Sequence, residues 1–581
     1  MRNYDRANVQ PPKDIERKRA HIVGGGIAGF ATAAFLIDDA HMPAENITIY
    51  EAEQVHGGCL DAHRFEKGYR NRGSRMWERR YECTYYLLGK IPSIDNPALT
   101  LHDETFQANM DHPFHARMHL MHNRGQKYLP TGPLMSKEDG EKMINLLLST
   151  EQALEGLTVE QWFGPGFFKS DFWFYWAYIF ALAPHHSAIE CRRYLRRFAM
   201  YLGESMIELT MLIHTKYNEY DSVIHPMEVW LEKKGVHFQK GTAVRDIETE
   251  NKGKETLATA LVYDDASGRR QRKPLTRDDL VFFTNGSMVT KTTWGDNDTV
   301  VAYDRDTKDL GLFDVWKKLA ARDPKFGRPE PFISDIEGSG FYTWTATIKG
   351  DRTFIDYWSA KTGVKQPLLT NAFSTAKDAN WVPTSFVYGT DYYRGQPADV
   401  NICHGYLLWT DRPGNFIKKT VRECTGKEIF TEILYHFGLN EDQIKKTIEH
   451  SYVSVAAMPY ITSQFMPRRV ADRPEVIPEG CVNLAFIGQY VETPGDVSFT
   501  VESSVRTAMM AVWGLTGLQK PQIPMYEPLL DVRVIARALA MAAGRNELTM
   551  DILDNVKGTT GETTAKLLNA ALKKIPEPAI F

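Results

Sequence analysis

The sequence predicts an α/β fold built around a Rossmann-like parallel sheet that several separate stretches of the chain complete. Near the start, an apolar run at 22–23 is followed by a glycine-rich turn, an alanine-rich helical segment at 30–37 and a second apolar run at 47–50. Further apolar runs at 281–284 and 484–487 have the length of buried strands, so the domain is discontinuous in sequence. With 581 residues, the chain is expected to form two to four domains.

Three glycines follow the first strand in the order Gly-x-Gly-x-x-Gly. Gly24 allows the tight turn, Gly26 lets the backbone approach a pyrophosphate, and Gly29 lets helix and strand pack closely. The helix N-terminus, with Ala28, faces the phosphates. The second strand ends in Glu51, whose carboxylate would accept hydrogen bonds from a ribose diol. A glycine-rich turn without a ligand is the alternative, but this order of elements favours a dinucleotide.

Features after the second strand indicate that the dinucleotide is FAD. A Gly-Gly pair at 57–58 is typical of flavin proteins rather than of simple nicotinamide dehydrogenases, and a loop with two arginines follows at 71–77. A Gly-Thr-x-Val stretch would bring the backbone of Val244 to the adenine, and a helix at 503–513 is expected to point at the flavin. The predicted cofactor-binding residues beyond the glycine motif are Gly58, Cys59, Gly73, Ser74, Arg75, Val244, Gln489 and Ser504.

Composition excludes several classes of protein. The net charge is −4 with 24% charged residues, which gives no basis for a nucleic-acid partner. The six cysteines are scattered without a Cys-x-x-Cys pair, so no metal site is expected and a reducing cytoplasm fits. The polar N-terminus has no signal-peptide core, and the longest uncharged apolar run, at 172–184, is too short to cross a bilayer.

Changes in pattern along the chain predict its organisation. Residues 1–18 form a polar lead-in, and residues 81–204 are mostly helical. The expected regions are a discontinuous FAD-binding domain at 19–80, 205–300 and 480–518, a substrate-binding region at 81–204 and 301–479, and a C-terminal helical region at 519–581.

Long motifs along residues 19–520 resemble the bacterial fatty-acid hydratases, the oleate hydratase family once called myosin-cross-reactive antigens. The matching stretches lie at 24–29, 57–61, 172–198, 216–227, 283–288, 421–438, 458–468 and 483–509. The resemblance implies a hydro-lyase that requires FAD and adds water to an isolated cis double bond of a long-chain unsaturated fatty acid, as in the conversion of oleate to 10-hydroxystearate. It implies no net redox change.

Hydration of an unactivated alkene requires a proton donor and a positioned water. In the family a tyrosine supplies the proton, and the matching residue here is Tyr194, in the sequence Arg-Arg-Tyr-Leu-Arg-Arg. A free phenol has a pKa of about 10. We expect the nearby arginines to favour the anion and so to make Tyr194 a better donor. A tyrosine that packs on a helix face with its hydroxyl satisfied locally is the alternative.

The sequence departs from the family where the water is held. The family loop reads Arg-Gly-Gly-Arg-Glu-Met and its Glu orients the water, whereas here Met76 stands at that position. A thioether cannot act as a base at neutral pH. Glu78 and Glu82 are close in sequence, but Glu78 is expected to point away from Met76. The flavin ring edge or a backbone carbonyl could also place the water.

A second departure concerns the fatty-acid carboxylate. The family's Thr, Asn and His align with the stretch at 382–393, where Phe386, Tyr388 and Tyr392 stand instead. The hydroxyls of Tyr388 and Tyr392 could donate hydrogen bonds to a carboxylate.

The two ends of the chain suggest predictions of its oligomeric state and of contact with a membrane. Longer relatives carry an N-terminal helical segment that contributes to their dimer, and about 18 residues precede the first strand here, so a monomer is favoured. The helical pattern at 567–575 places leucines beside two lysines and could make peripheral contact with the inner face of a membrane. Docking of that helix on the protein body is the alternative.

Three other functions remain compatible with these motifs. A redox flavoenzyme of the amine-oxidase or desaturase type shares the glycine motif and would transfer a hydride. A fatty-acid double-bond isomerase would also protonate the alkene but would then lose a proton. The missing glutamate keeps this option open. A fatty-acid or flavin binding protein is the non-enzymatic alternative.

Overall fold

The structure is a computed structural model that describes residues 9–202, 204–365, 373–531 and 534–535. The strands are β1 (Arg19–Val23), β2 (Ile47–Glu51), β3 (His63–Phe65), β4 (Gly68–Arg70), β5 (Trp77–Glu78), β6 (Leu120–His122), β7 (Gln126–Lys127), β8 (Leu212–Ile213), β9 (His237–Lys240), β10 (Ala243–Lys252), β11 (Glu255–Asp264), β12 (Arg270–Pro274), β13 (Asp279–Thr284), β14 (Thr293–Gly295), β15 (Phe341–Lys349), β16 (Phe373–Ala376), β17 (Pro383–Gly389), β18 (Val400–Leu407), β19 (Ser451–Met458) and β20 (Leu484–Ile487).

The helices connect and cover these strands. They are α1 (Ile27–Asp38), α2 (Glu82–Leu88), α3 (Leu101–Asp111), α4 (Lys137–Leu148), α5 (Val159–Phe163), α6 (Asp171–Phe180), α7 (Ala188–Arg197), α8 (Glu204–Glu208), α9 (His225–Lys234), α10 (Leu312–Arg322), α11 (Glu330–Ile333), α12 (Ile336–Ser339), α13 (Thr353–Thr362), α14 (Gly426–Phe437), α15 (Glu441–Glu449) and α16 (Val501–Thr516). A single π-helical turn, Tyr220–Ile224, leads directly into α9.

A parallel sheet of five strands forms the first layer within the described residues, in the order β20-β13-β1-β2-β9. Its central strands are apolar on both faces, as expected when helices cover both sides of a sheet. Helix α1 packs against α16, and the ten residues from Ile27 to Leu36 are all buried. The predicted βαβ unit and the two distant strands are therefore confirmed, and the predicted Rossmann-like α/β fold is correct.

The second layer of the described chain is a mixed sheet of eight strands, in the order β14-β19-β15-β18-β17-β16-β6-β7. Strands β15, β17, β18 and β19 pair antiparallel and form its centre. Helices α13, α14 and α15 pack beside it around a second apolar core. Strand β14 lies within the range 205–300 predicted for the cofactor domain but pairs with β19 of this second sheet.

None of the helices described is long and apolar enough to span a bilayer. The predicted C-terminal helix at 567–575 lies outside the described residues.

Candidate active site

The glycine turn joins β1 to α1 at the carboxyl edge of the parallel sheet. Gly24 has a φ of +109°, a value that suits glycine, and its N–H donates to the carbonyl of Tyr50 at 2.9 Å. A Cβ on Gly29 would lie 2.1 Å from the Gly24 carbonyl oxygen, so only glycine fits there. A Cβ on Gly26 would meet nothing nearer than the Gly57 carbonyl oxygen at 3.8 Å, and it would project into a cavity.

Glu51 ends β2 and closes one side of this turn. Its Oε2 accepts from the N–H of Gly25 at 2.8 Å, and its Oε1 accepts from the N–H of Glu53 at 2.9 Å. Burial raises the pKa of Glu51 above its ordinary value, although both hydrogen bonds favour the anion. The carboxylate is thus held against the glycine turn.

A cavity of about 720 Å³ opens beside the turn. Ten of the predicted cofactor-binding residues line it: Gly24, Gly26, Ala28, Glu51, Gly58, Cys59, Arg75, Val244, Gln489 and Ser504. Gly29 packs inside the turn instead, Gly73 stands against the Arg75 guanidinium, and Ser74 faces a second cavity.

The geometry of the first cavity fits a dinucleotide. No side chain caps the N-terminus of α1, so its first N–H groups remain available to an anion. Because no atom lies within 3.8 Å of the Cβ position at Gly26, a pyrophosphate can approach the backbone there. Phe499 also lines this cavity in a backbone conformation unusual for phenylalanine, with a φ of +74°. Sequence reasoning missed Phe499, because nothing in its neighbours signals that conformation.

The loop that carries Arg75 separates this cavity from a second one of about 340 Å³. Arg75 lines both cavities, and its guanidinium lies 5.2 Å from the centre of the Phe499 ring. Met76 lines the second cavity. Glu219 lines the same cavity, and its Oε1 accepts from the N–H of Arg75 at 2.6 Å. The sequence analysis did not single out Glu219.

Two stacked tyrosines form another wall of the second cavity. The rings of Tyr388 and Tyr392 lie 3.5 Å apart at an angle of 3°. The Tyr388 hydroxyl donates to Ser74 Oγ at 2.5 Å, and Ser74 Oγ and the Tyr392 hydroxyl lie 3.0 Å apart. Phe386 stacks on Tyr388 with 5.7 Å between the ring centres. The structure thus brings the three aligned residues together with Ser74.

Tyr194, on α7, is fully buried among aromatic side chains. Its ring centre lies 4.9 Å from that of Phe180, 5.6 Å from that of Phe198 and 5.5 Å from that of Phe465. Its hydroxyl donates to the carbonyl of Ser498 at 2.5 Å. Tyr194 lines neither of the two cavities, but Ser498 directly precedes Phe499 in the wall of the first.

The electrostatic prediction for Tyr194 is wrong. Burial, reinforced by nearby acidic groups, raises the pKa of Tyr194 well above that of a free phenol. Three of the four arginines on the same helix lie against carboxylates: Arg192 and Arg193 lie 3.5 and 2.6 Å from Glu151, and Arg197 lies 3.4 Å from Asp496. Their partners come from distant parts of the sequence, so the motif alone suggested an excess of positive charge that the folded protein does not have.

The two glutamates near Met76 in sequence lie elsewhere. Glu78 is buried at the end of β5, where Oε2 accepts from the N–H of Arg80 at 2.7 Å and burial raises the pKa of Glu78 to about 8. Glu82 begins α2, and burial raises its pKa to about 7. Neither residue lines the two cavities. In the part of the chain that is described, no group of three His, Cys, Asp or Glu side chains is placed to hold a metal ion.

Comparison with known proteins identifies the family. An oleate hydratase of Streptococcus pyogenes serotype M49 (strain NZ131) is 36% identical over 547 residues, which cover 92% of each chain. A linoleate hydratase of Lactiplantibacillus plantarum is 28% identical over 543 residues, or 86% of this chain and 94% of that protein. The solved structure of cyclohexylamine oxidase from Brevibacterium oxydans IH-35A aligns with 86% of this chain and 99% of its own at 11% identity, with a TM-score of 0.47 that carries no argument by itself. Residues 17–513 match the sequence model of the MCRA family, and the chain therefore belongs to the MCRA family.

Proposed function

We propose that this protein is a hydro-lyase that adds water to a cis double bond of a long-chain unsaturated fatty acid such as oleate, with FAD in the first cavity. The observation that carries the proposal is the pair of adjoining cavities that share Arg75: the first fits a dinucleotide, and the second is lined by aromatic, hydroxyl-bearing and charged side chains. The oleate and linoleate hydratases that resemble most of the chain support this choice of substrate.

The residues of the first cavity would hold FAD by complementary contacts. The N–H groups at the start of α1 would bind the pyrophosphate, and Glu51 would accept from a ribose hydroxyl. Gln489, just after β20, and Ser504, in the first turn of α16, would lie near the flavin, and they are hydrogen-bonded to each other at 2.5 Å. When bound, FAD supplies a polar planar wall and fixed negative charge, and hydration draws no net electrons from it.

Tyr194 is the proposed proton donor. Its raised pKa keeps the phenol protonated at neutral pH, so the proton is present when an alkene arrives. Its hydrogen bond to Ser498 holds the hydroxyl beside the segment that carries Phe499, at the cofactor cavity. Delivery of the proton requires that this bond be exchanged for contact with the alkene. The aromatic side chains around Tyr194 exclude water, which would otherwise quench a carbocation without selectivity.

Tyr388 and Tyr392 are the proposed partners of the fatty-acid carboxylate. Both hydroxyls point to Ser74 Oγ in the wall of the second cavity, and Arg75 adds a positive charge there. A carboxylate could accept from a phenol hydroxyl that gives up its bond to Ser74.

Isotope labelling tests the reaction. The protein is loaded with FAD and incubated with oleate and a reductant in water enriched in heavy oxygen, and the product is analysed by mass spectrometry. We expect a hydroxy fatty acid that carries one heavy oxygen. A shifted double bond without oxygen would instead identify an isomerase, and consumption of dioxygen would identify a redox flavoenzyme.

Tyr194→Phe tests the proton donor. Removing a positioned acid should lower the hydration rate by about 10²–10⁴-fold, with FAD binding retained. Tyr201→Phe is the matched control, because Tyr201 is equally buried, its hydroxyl has no hydrogen-bond partner in the described structure, and it lines neither cavity. Full activity in Tyr194→Phe, or an equal loss in both variants, would exclude the assignment.

A further inference from the structure

We propose that Glu219, which lines the same cavity as Met76, is the carboxylate that binds the attacking water and accepts its proton. The inference rests on the proposed hydration reaction and adds a residue to it. Met76 cannot act as a base, and the glutamates close to it in sequence point elsewhere.

One hydrogen bond and a shared cavity place Glu219 near Met76. Its Oε1 accepts from the N–H of Arg75, the residue that directly precedes Met76, at 2.6 Å. Glu219 and Met76 both line the cavity. The carboxylate also accepts from the N–H of Glu219 itself, and no hydrogen bond joins Oε2 to the side chain of another described residue. Because a carboxylate has about four acceptor positions, it can still accept from a water.

The segment that carries Glu219 is held firmly against the tyrosine wall. The N–H of Asn218 donates to the carbonyl of Tyr392 at 2.8 Å, and Nδ2 of Asn218 reaches the same carbonyl at 3.1 Å. The N–H of Arg394 donates to Asp221 at 2.9 Å. Glu219 then precedes the π-helical turn at Tyr220–Ile224, a feature that is frequent at functional sites. The carboxylate is therefore positioned by backbone on both sides.

The surroundings of Glu219 suit a base that works near neutral pH. Burial raises its pKa to about 7, against the hydrogen bond from Arg75 and the Arg75 charge, which both favour the anion. The other titratable side chains that line the cavity are His112, His214, Lys216, Asp391 and the tyrosines at 217, 388, 392 and 393. Of these, Lys216 is paired with Asp95 at 2.7 Å, and burial lowers the pKa of His214.

The proposed step balances without a further reactant. The π electrons of the alkene take the Tyr194 proton, which leaves a carbocation at the neighbouring carbon. A lone pair of the water oxygen forms the new C–O bond, and one O–H bond of that water breaks as its proton moves to Glu219. The proton on Glu219 then returns through solvent to the Tyr194 phenolate. The sum is alkene plus water giving alcohol, with nothing oxidised or reduced.

The pH dependence of hydration in Glu219→Gln tests the assignment. In the unaltered protein, we expect the rate of heavy-oxygen incorporation to rise with pH through a pKa near 7, because only the carboxylate accepts a proton. Glu219→Gln keeps the shape of the side chain but should lower the rate by about 10²-fold, the lower end of what a positioned base contributes. It should also abolish this rise with pH, which a merely structural role would not do. The double variant Met76→Glu/Glu219→Gln should recover part of the rate.

Controls separate this inference from the proposed function. Glu78→Gln removes another buried carboxyl that lines neither cavity, and it should leave the pH profile unchanged. Infrared difference spectra between pH 6 and pH 8 detect the carboxyl without turnover, and the band lost in Glu219→Gln identifies it. Retention of the rate and the pH profile in Glu219→Gln would overturn the role of Glu219 while hydration stands. A wild-type protein that incorporates no heavy oxygen would overturn the hydratase function and, with it, this inference.

Discussion

Gly26→Ala is expected to weaken FAD binding while leaving the stability of the protein without cofactor nearly unchanged. Gly26 has a φ of −83° and a ψ of −176°, values that alanine adopts without strain. The added Cβ would lie 3.8 Å from the Gly57 carbonyl oxygen, an ordinary contact distance. Alanine is a poorer N-cap than glycine by about 0.5–1 kcal/mol, and it loses less chain entropy on folding by about 0.4–1 kcal/mol, so the two effects nearly cancel.

The expected loss of FAD affinity in Gly26→Ala follows from the direction in which the added Cβ would point. The methyl group would occupy the space through which a phosphate oxygen approaches the start of α1. Loss of one charge-assisted hydrogen bond amounts to about 1.5–3 kcal/mol, which is a tenfold to hundredfold weaker affinity. Titration of the protein freed of cofactor with FAD, followed by fluorescence, measures this directly.

Gly29→Ala provides the contrast for this experiment. Its Cβ would lie 2.1 Å from the Gly24 carbonyl oxygen, a backbone atom that cannot move away alone. We expect about 1–3 kcal/mol of destabilisation even without FAD, from the strain of overpacking. Thermal unfolding with and without FAD distinguishes the two variants. Unchanged FAD affinity in Gly26→Ala, or destabilisation equal to that of Gly29→Ala, would refute this account of the turn.

Three further outcomes follow from the polar contacts. Glu190→Ala should destabilise the protein by about 3–5 kcal/mol in denaturant unfolding, because the buried Arg468 and Arg473 lie 2.8 and 3.0 Å from Glu190 and would lose a charge partner. The arginines lower the pKa of Glu190 to about 2 from 4.5, so its contribution of about 3 kcal/mol is complete above pH 4.5 and should be lost as the pH falls towards 2, as acid titration of stability would show. Tyr392→Phe, which removes a hydroxyl 3.0 Å from Ser74 Oγ, should raise KM for oleate but not for its methyl ester, and equal effects on both would contradict a carboxylate contact.

Local sequence predicted the cofactor half of the fold well because its signals are local. The turn glycines, the alanine-rich helix and the short apolar strands each depend on neighbouring residues, and β20 begins and ends where the apolar run at 484–487 does. Helix α16 begins two residues before the predicted start at 503, because Thr500 accepts from the N–H of Ser503 as its N-cap. Such caps move a boundary without changing the element.

Electrostatic predictions failed where the charge partners come from distant sequence. The motif around Tyr194 displays four arginines within six residues, and in isolation they would stabilise a phenolate. In the fold, Arg193 is paired with Glu492, which lies 299 residues away, and burial raises the pKa of Tyr194 instead. The resemblance to the family pointed to Tyr194, but the sequence could not show whether the charges around it favour the phenol or the phenolate.

The same limit explains why the sequence did not predict a carboxylate in the cavity that Met76 lines. Glu219 is 144 residues from Arg75 in sequence and 2.6 Å from its N–H in space. Two ionised carboxylates in one small buried cavity would repel, and one of them would be forced to hold a proton. A glutamate in this cavity therefore favours a neutral residue at position 76, and Met76 with Glu219 satisfies this condition. Met76→Glu alone should therefore move the rise of activity to higher pH, since the second carboxylate makes Glu219 harder to ionise.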